Sequence, residues 1–235
     1  MFAGPNGSGK STLKTYLPKQ LLGVYLNPDD IEKEIRTTGV FDFSSCQIQT
    51  TREDLLPHFT SSSLLNSAGF AEAARQLVFD NGLLRFGDIE INSYWASALV
   101  DFLRRKLLEQ KTTFTFETVM SHPDKIEILA KAQALGYRTY LYYVATDDPS
   151  INVSRVHNRV KLGGHAVSDD KVIARYYRSL NLLAKAIKQT NRAYIFDNSG
   201  HSKDGKQTWL AEITDGTWLE FKIDDMPLWF VKAMA

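Results

Sequence analysis

The chain has 235 residues, which is long enough to bury a full core and indicates one domain, or one domain with an insertion. With 43% hydrophobic and 23% charged residues it has the composition of a folded globular protein, and its net charge of +1 argues against a long nucleic-acid track or an anionic membrane surface as partner. The single cysteine, Cys46, excludes an intramolecular disulfide. No apolar run approaches the roughly 18 residues of a membrane span, and no signal peptide is recognisable at the start. We therefore expect a cytoplasmic protein.

The most specific motif comes first in the chain. Residues 4–12, GPNGSGKST, fit the phosphate-binding pattern G-x-x-x-x-G-K-[ST] at every fixed position. In this pattern, glycines let backbone N–H groups turn toward a phosphate, the lysine reaches the β- and γ-phosphates, and the hydroxyl after it can ligate Mg²⁺. The motif predicts a site for ATP or GTP with Mg²⁺. The predicted nucleotide-binding residues are Gly4, Asn6, Gly7, Ser8, Gly9, Lys10, Ser11 and Thr12.

The strand that should lead into this loop is short. Only three residues precede Gly4, whereas a strand usually has about five. Either the first strand is truncated or the true start of the protein lies upstream of Met1, and we favour the second explanation. Beyond the loop, the pattern predicts a helix over 10–20, a strand over 24–26 and a further helix that begins near Ile31.

Residues 37–93 are predicted to be a helical insertion over one edge of the sheet. The segment favours a helix at 71–78 and carries turn signals at 81–82 and 87–88. It is followed by an amphipathic helix over 94–110, whose apolar side chains recur at helical spacing.

The second half of the chain alternates strands with helices, and it ends in a β-hairpin extension within 205–235. Such alternation behind a phosphate loop predicts an α/β fold with a doubly wound, mainly parallel sheet, in a single domain over 1–235. In chain order the predicted elements are a strand at 113–118, a helix at 121–136, a strand at 137–145, a helix at 148–159, a helix from 168 and a strand at 193–196.

Acidic side chains follow three of the predicted strands, where ligands of such sheets bind. We expect Asp30 to cap the helix that begins near Ile31 and Asp29 to reach the site, where its carboxylate could accept a proton from a substrate hydroxyl. Glu117 ends an otherwise apolar strand, and a carboxylate there is costly unless a cation or water accompanies it. Asp147 and Asp148 are better explained as the turn before a helix than as a metal site.

Basic side chains occur where the helix at 148–159 runs into two glycines. Arg155 and Arg159 are four residues apart and therefore share a helix face. With the glycines at 163–164 they could form a mobile lid over a triphosphate, or they could be a solvated basic face. His165 could contact phosphate or cap a turn, and the residues leave both readings open.

Taken together, these motifs make the sequence resemble the zeta-toxin family of P-loop kinases. More narrowly, they resemble its compact branch, often labelled a predicted ABC-type ATPase. The ordered set of motifs is more specific than the loop alone, and it covers most of residues 1–200. The segments that carry the resemblance are 4–12, 26–31, 114–118, 155–167 and 194–200.

The resemblance implies a role for each matching residue. The catalytic aspartate of the family falls on Asp29, the loop lysine on Lys10 and the metal-side hydroxyl on Ser11. The acid at the end of the third strand falls on Glu117, a metal and substrate candidate, with Thr118 beside it as a substrate candidate. The best-known members phosphorylate the 3′-hydroxyl of UDP-N-acetylglucosamine with ATP and Mg²⁺, and an antitoxin protein blocks their nucleotide site.

The remaining matches include two departures from the family pattern. The first phosphate-binding arginine of the family falls on Arg159, with Arg155 as its neighbour, but the second falls on His165. A substrate-contacting glutamate falls near Asp101, one methylene shorter. The resemblance therefore supports ATP handling more firmly than it supports a sugar nucleotide as the acceptor.

The leading hypothesis is an ATP-dependent kinase that phosphorylates a hydroxyl of a small molecule. A nucleotide-binding regulatory ATPase without an acceptor is the first alternative, and a nucleoside or polynucleotide kinase is the second. An inactive protein is the third, because of the short first strand.

Overall fold

The structure is a computed structural model, and it describes residues 1–164, 166–200 and 206–235. The chain divides into two compact units, of which the first comprises 1–19 and 117–235 and the second comprises 20–116. The strands are β1 (Phe2–Ala3), β2 (Val24–Leu26), β3 (Val40–Asp42), β4 (Val78–Asp80), β5 (Leu83–Arg85), β6 (Phe114–Thr118), β7 (Tyr140–Ala145), β8 (Arg192–Asp197), β9 (Thr208–Thr214) and β10 (Trp218–Phe221). The α-helices are α1 (Lys10–Leu13), α2 (Lys19–Leu22), α3 (Pro28–Thr38), α4 (Arg52–Thr60), α5 (Ser63–Ser67), α6 (Ala71–Ala74), α7 (Ser93–Glu109), α8 (Asp124–Ala134), α9 (Pro149–Lys161), α10 (Asp169–Asn181), α11 (Leu183–Ile187) and α12 (Leu228–Met234).

The first unit is built on a mainly parallel sheet. Strand β1 runs parallel to β7 on one side and to the last two residues of β6 on the other, and β8 runs parallel to β7. Strands β9 and β10 extend the sheet in antiparallel pairing beyond β8. The apolar runs of β7 and β8 suit this position, since parallel strands covered on both faces are rich in large apolar residues. The predicted α/β fold with a mainly parallel sheet and a C-terminal hairpin is confirmed, and the first strand is short, with two residues.

The helix predicted over 10–20 is interrupted. Helix α1 ends at Leu13, a single 3₁₀ turn follows at Lys14–Tyr16, and α2 begins only at Lys19. Pro18 explains the break, because proline disfavours the helical conformation of the residue before it. Leu17 is accordingly extended, with φ −115° and ψ 138°. The phosphate loop is therefore followed by one turn of α-helix, which makes the helix dipole a weaker contributor than the sequence suggests.

The second unit contains β2, which runs parallel to residues 114–116 of β6, and a three-stranded antiparallel sheet in the order β3-β5-β4. The segment 37–93, predicted to be helical, thus contains strands as well as helices. The helix predicted at 71–78 ends at Ala74. The strands β4 and β5 are joined by a tight turn. Its two residues, Asn81 and Gly82, both have positive φ, 48° and 77°, as a two-residue hairpin turn of the Asn-Gly type requires.

The extension at the end of the chain includes a helix that the sequence pattern did not predict. Trp229 of α12 is buried, and its indole Nε1 donates a hydrogen bond of 2.9 Å to Asp197 at the end of β8. Asp197 also accepts hydrogen bonds from the N–H and the hydroxyl of Ser199, at 2.9 and 2.7 Å. These contacts give Asp197 a structural role at the edge where the ligand-binding loops begin. Within the described residues, no helix combines the length and the apolar character needed to cross a membrane.

Candidate functional site

The phosphate loop lies at the carboxyl end of β1 and folds around its own lysine. The Nζ atom of Lys10 donates hydrogen bonds of 2.9 Å to the carbonyl oxygens of both Gly4 and Pro5. Gly4 has φ 141°, and a Cβ built on it would lie 2.0 Å from the carbonyl oxygen of Val144 in β7. Only glycine fits there, so the loop is held tightly against the neighbouring strand.

Ser11 and Glu117 are brought together across the sheet. Glu117 is in register with Phe2 of β1, two residues before the loop, and the residue is only 7% exposed. The Ser11 hydroxyl donates a hydrogen bond of 3.3 Å to the Glu117 Oε2 atom. A hydroxyl and a carboxylate oxygen side by side are the donor set that suits a hard cation such as Mg²⁺. The two predicted metal residues are thus neighbours.

Thr118 has a local role in the turn that follows β6. Its hydroxyl accepts a hydrogen bond of 3.0 Å from the N–H of Met120, which has a positive φ of 52° and is fully buried. This turn fixes the direction in which the chain leaves the strand just beyond Glu117.

Three polar residues share one face of α9. Asn152, Arg155 and Arg159 follow the helical spacing i, i+3, i+7. The Nη1 atom of Arg155 is buried and has no hydrogen-bond partner in the described part of the chain. A buried donor of this kind is rarely left unsatisfied, and an anion is the partner that a guanidinium prefers.

The glycines after α9 form a helix cap. The Gly163 N–H donates to the Val160 carbonyl and the Gly164 N–H donates to the Arg159 carbonyl, both at 2.9 Å. With Gly163 at φ 85°, this is the Schellman arrangement of a helix C-terminus. The pattern predicted a hinge at these glycines, and the structure gives them a definite role in fixing the end of the arginine-bearing helix.

Side-chain amides hold the outer side of the phosphate loop, a feature that the sequence pattern did not reveal. Asn152 Nδ2 donates to the Asn6 carbonyl at 2.6 Å, and Asn198 Nδ2 donates to the Ser8 carbonyl at 2.8 Å. Gln207 Nε2 donates to the Gly9 carbonyl, also at 2.8 Å. We call Asn152, Asn198 and Gln207 the amide clamp. Asn198 lies in the segment 194–200 that carries the family resemblance, and this was the only sequence feature that pointed to any member of the clamp.

Several buried polar atoms in and around the loop have no hydrogen-bond partner among the described residues. They are the Asn6 Oδ1, the Ser8 Oγ and the Gln207 Oε1 atoms. Such atoms are uncommon in folded proteins, and they commonly mark a place where a ligand or an ordered water completes the hydrogen bonding. Together with Lys10, their concentration at the loop fits a polyphosphate ligand.

Two predicted site residues, Asp29 and Asp101, belong to the second unit. The side chain of Asn27, not that of Asp30, caps α3 by accepting a hydrogen bond of 3.0 Å from the Asp29 N–H. The prediction that Asp30 is the cap is therefore wrong: Pro28 occupies the first helical position and leaves Asn27 as the cap residue. Asp29 and Asp30 are both in the first turn of α3.

Asp101 lies on α7 and forms ion pairs with two arginines of its own helix, Arg104 at 3.0 Å and Arg105 at 2.6 Å. These ion pairs give Asp101 a role within its own helix, so its contact with a substrate stays a prediction.

The remaining candidates fall outside the site or outside the described residues. Asp148 caps α9, and hydrogen bonds from Ser150 lower its pKa, as the turn interpretation predicts. His165 lies outside the described residues. Among the residues that the structure describes, no three His, Cys, Asp or Glu side chains form a group that could hold a metal by themselves. A cation at Ser11 and Glu117 would need further ligands from a bound phosphate or water.

The mainly parallel sheet and the loop at the end of its central strand define an α/β protein of the P-loop kinase fold. The family model Zeta toxin matches residues 91–206. This match confirms the resemblance to the zeta-toxin family over that segment.

Solved structures and a sequence relative extend the comparison. Two structures of AvrRxo1-ORF1 in complex with AvrRxo1-ORF2, one with sulphate ions and one native, align with TM-scores of 0.56 and 0.51 at 14% and 15% identity. Each alignment covers 100% of this chain and 63% of the solved chain, and at this identity it supports the fold alone. An uncharacterised protein of Haemophilus influenzae is 32% identical over 69 residues, which are 29% of this chain and 49% of the relative. The chain thus spans less than two thirds of these proteins.

Proposed function

We propose that this chain is a phosphotransferase that moves the γ-phosphoryl group of ATP or GTP to a hydroxyl of a small molecule. The observation that carries the proposal is the contact between the Ser11 hydroxyl and the buried Glu117 carboxylate, in the loop where Lys10 is held. This combination supplies a phosphate cradle, a positive charge and a hard-cation donor set in one place.

The residues of the first unit would serve the nucleotide. Lys10 and the N–H groups of the loop would bind the phosphates, and Ser11 with Glu117 would hold Mg²⁺. When bound, the ion neutralises charge on the phosphate oxygens. Arg159, with Arg155 on the same helix face, would stabilise the charge that develops on the transferring group. The orphaned guanidinium atom of Arg155 supports this assignment.

Asp29 is the proposed group that orients the acceptor and takes its proton. In the transfer step the acceptor oxygen forms a bond to the γ-phosphorus while the bond to the β-phosphate oxygen breaks. The hydroxyl proton passes to the Asp29 carboxylate, and the nucleoside diphosphate leaves. Support for this role comes from the sequence resemblance over residues 26–31 and from the position of Asp29 in the first turn of α3, directly after β2.

The acceptor and the partner are proposed from the resemblance to the zeta-toxin family. UDP-N-acetylglucosamine is the first acceptor to test, with Asp101, Glu117, Thr118 and His165 as candidate contacts. A protein partner, an antitoxin, is proposed because the zeta-toxin family match is accompanied by neighbours solved in complex with a second protein.

Labelled ATP with Mg²⁺ and a pool of metabolites that includes sugar nucleotides tests the proposal. Transfer of label to a metabolite is expected, and Lys10→Ala should abolish it because the phosphates lose their principal cation. Label found only as free phosphate would support the regulatory ATPase instead. Absence of both nucleotide binding and turnover in the wild-type chain would overturn the proposal.

A further inference from the structure

The amide clamp acts on three carbonyl groups of the phosphate loop. A peptide group is planar and its C=O and N–H bonds point in opposite directions. An amide that fixes the carbonyl of one residue therefore fixes the N–H of the next residue on the other side. The clamp fixes the carbonyls of Asn6, Ser8 and Gly9. It thereby directs the N–H groups of Gly7, Gly9 and Lys10 away from the clamp, toward the inside of the loop.

The orientation of the Asn152 amide is itself determined. Asn152 is fully buried, and its Oδ1 atom accepts a short hydrogen bond from the hydroxyl of Thr146, which is also fully buried. The backbone carbonyl of Thr146 accepts a hydrogen bond of 2.6 Å from the Tyr176 hydroxyl. Because the oxygen of the amide is engaged by Thr146, its Nδ2 group must face the loop.

Gly9 is enclosed by the other two members of the clamp. A Cβ built on Gly9 would lie 2.4 Å from Asn198 Nδ2 and 2.9 Å from Gln207 Nε2. The residue has φ 95°, a conformation that side-chain-bearing residues rarely adopt. The glycine before the lysine is therefore required both by its backbone conformation and by the amides packed against it.

We propose that Asn152, Asn198 and Gln207 are positioning residues that orient the loop N–H groups for a polyphosphate. This proposal rests on the proposed function and deepens it by stating that the clamp acts on the phosphates of the ligand and not on its base. The clamp joins the loop to α9, to the residue after β8 and to the residue before β9, so that three parts of the first unit set the geometry of one phosphate cradle.

The proposal makes a prediction that neither a purely structural role nor base recognition would make. Loss of an amide should weaken the binding of ATP, of GTP and of inorganic tripolyphosphate by the same factor. A structural role would lower the melting temperature of the free protein and leave these affinities unchanged. A base-recognition role would weaken ATP or GTP binding and spare tripolyphosphate.

The experiment uses near-isosteric substitutions that remove the amide without adding charge, Asn198→Leu and Gln207→Met. Matched controls are Asn158→Leu, an exposed residue of α9, and Gln76→Met, an exposed residue of the second unit. Dissociation constants of ATP, GTP and tripolyphosphate are measured by calorimetry with Mg²⁺ present. The melting temperature of each ligand-free variant is recorded beside them, and Lys10→Ala serves as the reference for lost phosphate binding.

About a tenfold loss of affinity for all three ligands in each clamp variant, with both controls at the wild-type value, is the expected result. Unchanged affinities in the clamp variants, while Lys10→Ala loses binding, would overturn the proposed role of the amide clamp and leave the proposed function standing. A loss confined to the nucleotides would also overturn it. A wild-type chain that binds none of the three ligands would overturn the proposed function together with this inference.

Discussion

Gly164 packs directly against the side chain of Arg159. A Cβ built on Gly164 would lie 2.6 Å from the Arg159 Cγ atom, and the Gly164 N–H bonds to the Arg159 carbonyl at 2.9 Å. Gly164 does not have a positive φ, so glycine is needed here to leave room for the Arg159 side chain and not to allow an unusual backbone conformation. The helix cap thus helps to set the conformation of the side chain proposed to stabilise the transferring phosphoryl group.

Gly164→Ala should therefore displace the Arg159 side chain while the fold is retained, because the flexible arginine gives way before the backbone does. We expect kcat to fall by roughly 10- to 100-fold with little change in the KM for ATP. Steady-state kinetics of Gly164→Ala, Arg159→Ala and the double variant measure the effect. If Gly164 acts through Arg159, the double variant should be no slower than Arg159→Ala alone, whereas additive losses would contradict the link.

Glu117→Gln should raise the Mg²⁺ concentration needed for half-maximal turnover by about tenfold, because a charged oxygen ligand is replaced by a neutral one. Ser11→Ala should act in the same direction. The loss in the double variant should be smaller than the sum of the two single losses, since both oxygens would serve one ion. Titrations of turnover against Mg²⁺ give the values, with the exposed Glu127→Gln on α8 as the matched control. An unchanged Mg²⁺ requirement in Glu117→Gln would remove the metal assignment.

The sequence predicts those parts of the site that depend on short-range pattern. The loop is readable because its residues are consecutive, and Glu117 is readable because the carboxyl ends of parallel strands meet at one edge of a sheet. The pairing of Phe2 with Glu117 follows from that rule once the strands are identified. The hairpin near the end of the chain is likewise announced by its Asp-Gly turn.

The amide clamp could not be predicted, because its contacts join residues that are 146, 190 and 198 positions apart. Asparagine and glutamine are ordinary surface residues in a sequence, and only the fold brings their amides to the loop carbonyls. The broken helix after the loop is different, because Pro18 gave the signal and the helical spacing of the apolar residues outweighed it. Strands β3, β4 and β5 of the second unit were missed because runs of three residues are too short to show alternation.

Asp29→Asn should abolish phosphoryl transfer, with a loss of about 10²- to 10⁴-fold, because the amide cannot take the proton of the acceptor hydroxyl. The dissociation constant of ATP should stay near the wild-type value, since Asp29 serves the acceptor and not the nucleotide. Transfer is followed with labelled ATP and binding by calorimetry. Asp30→Asn, the neighbouring residue in the first turn of α3, is the matched control. Undiminished transfer by Asp29→Asn would contradict the assignment of the base.

His58 gives the second unit a predictable response to acid. Its ring packs against Phe102 with centroids 5.3 Å apart, and its Nε2 atom hydrogen-bonds to the Ala98 carbonyl at 2.9 Å. Burial lowers the pKa of His58 below its ordinary value of 6.5. Above that value both the folded and the unfolded chain hold a neutral ring, and stability is unaffected. As the pH falls below it, the unfolded chain takes up a proton that the folded chain resists, so the free energy of unfolding decreases.

Chemical denaturation at a series of pH values between 7.5 and 5 measures this effect. For the wild type we expect the free energy of unfolding to decrease as the pH is lowered. His58→Gln, whose amide can still donate to the Ala98 carbonyl, should lose part of this pH dependence even if it is less stable overall. His122→Gln is the control, because His122 is an exposed histidine of the first unit and its side chain is 76% accessible. Parallel curves for the wild type and His58→Gln across this range would show that the buried ring does not carry the effect, since a neutral amide has no proton to gain.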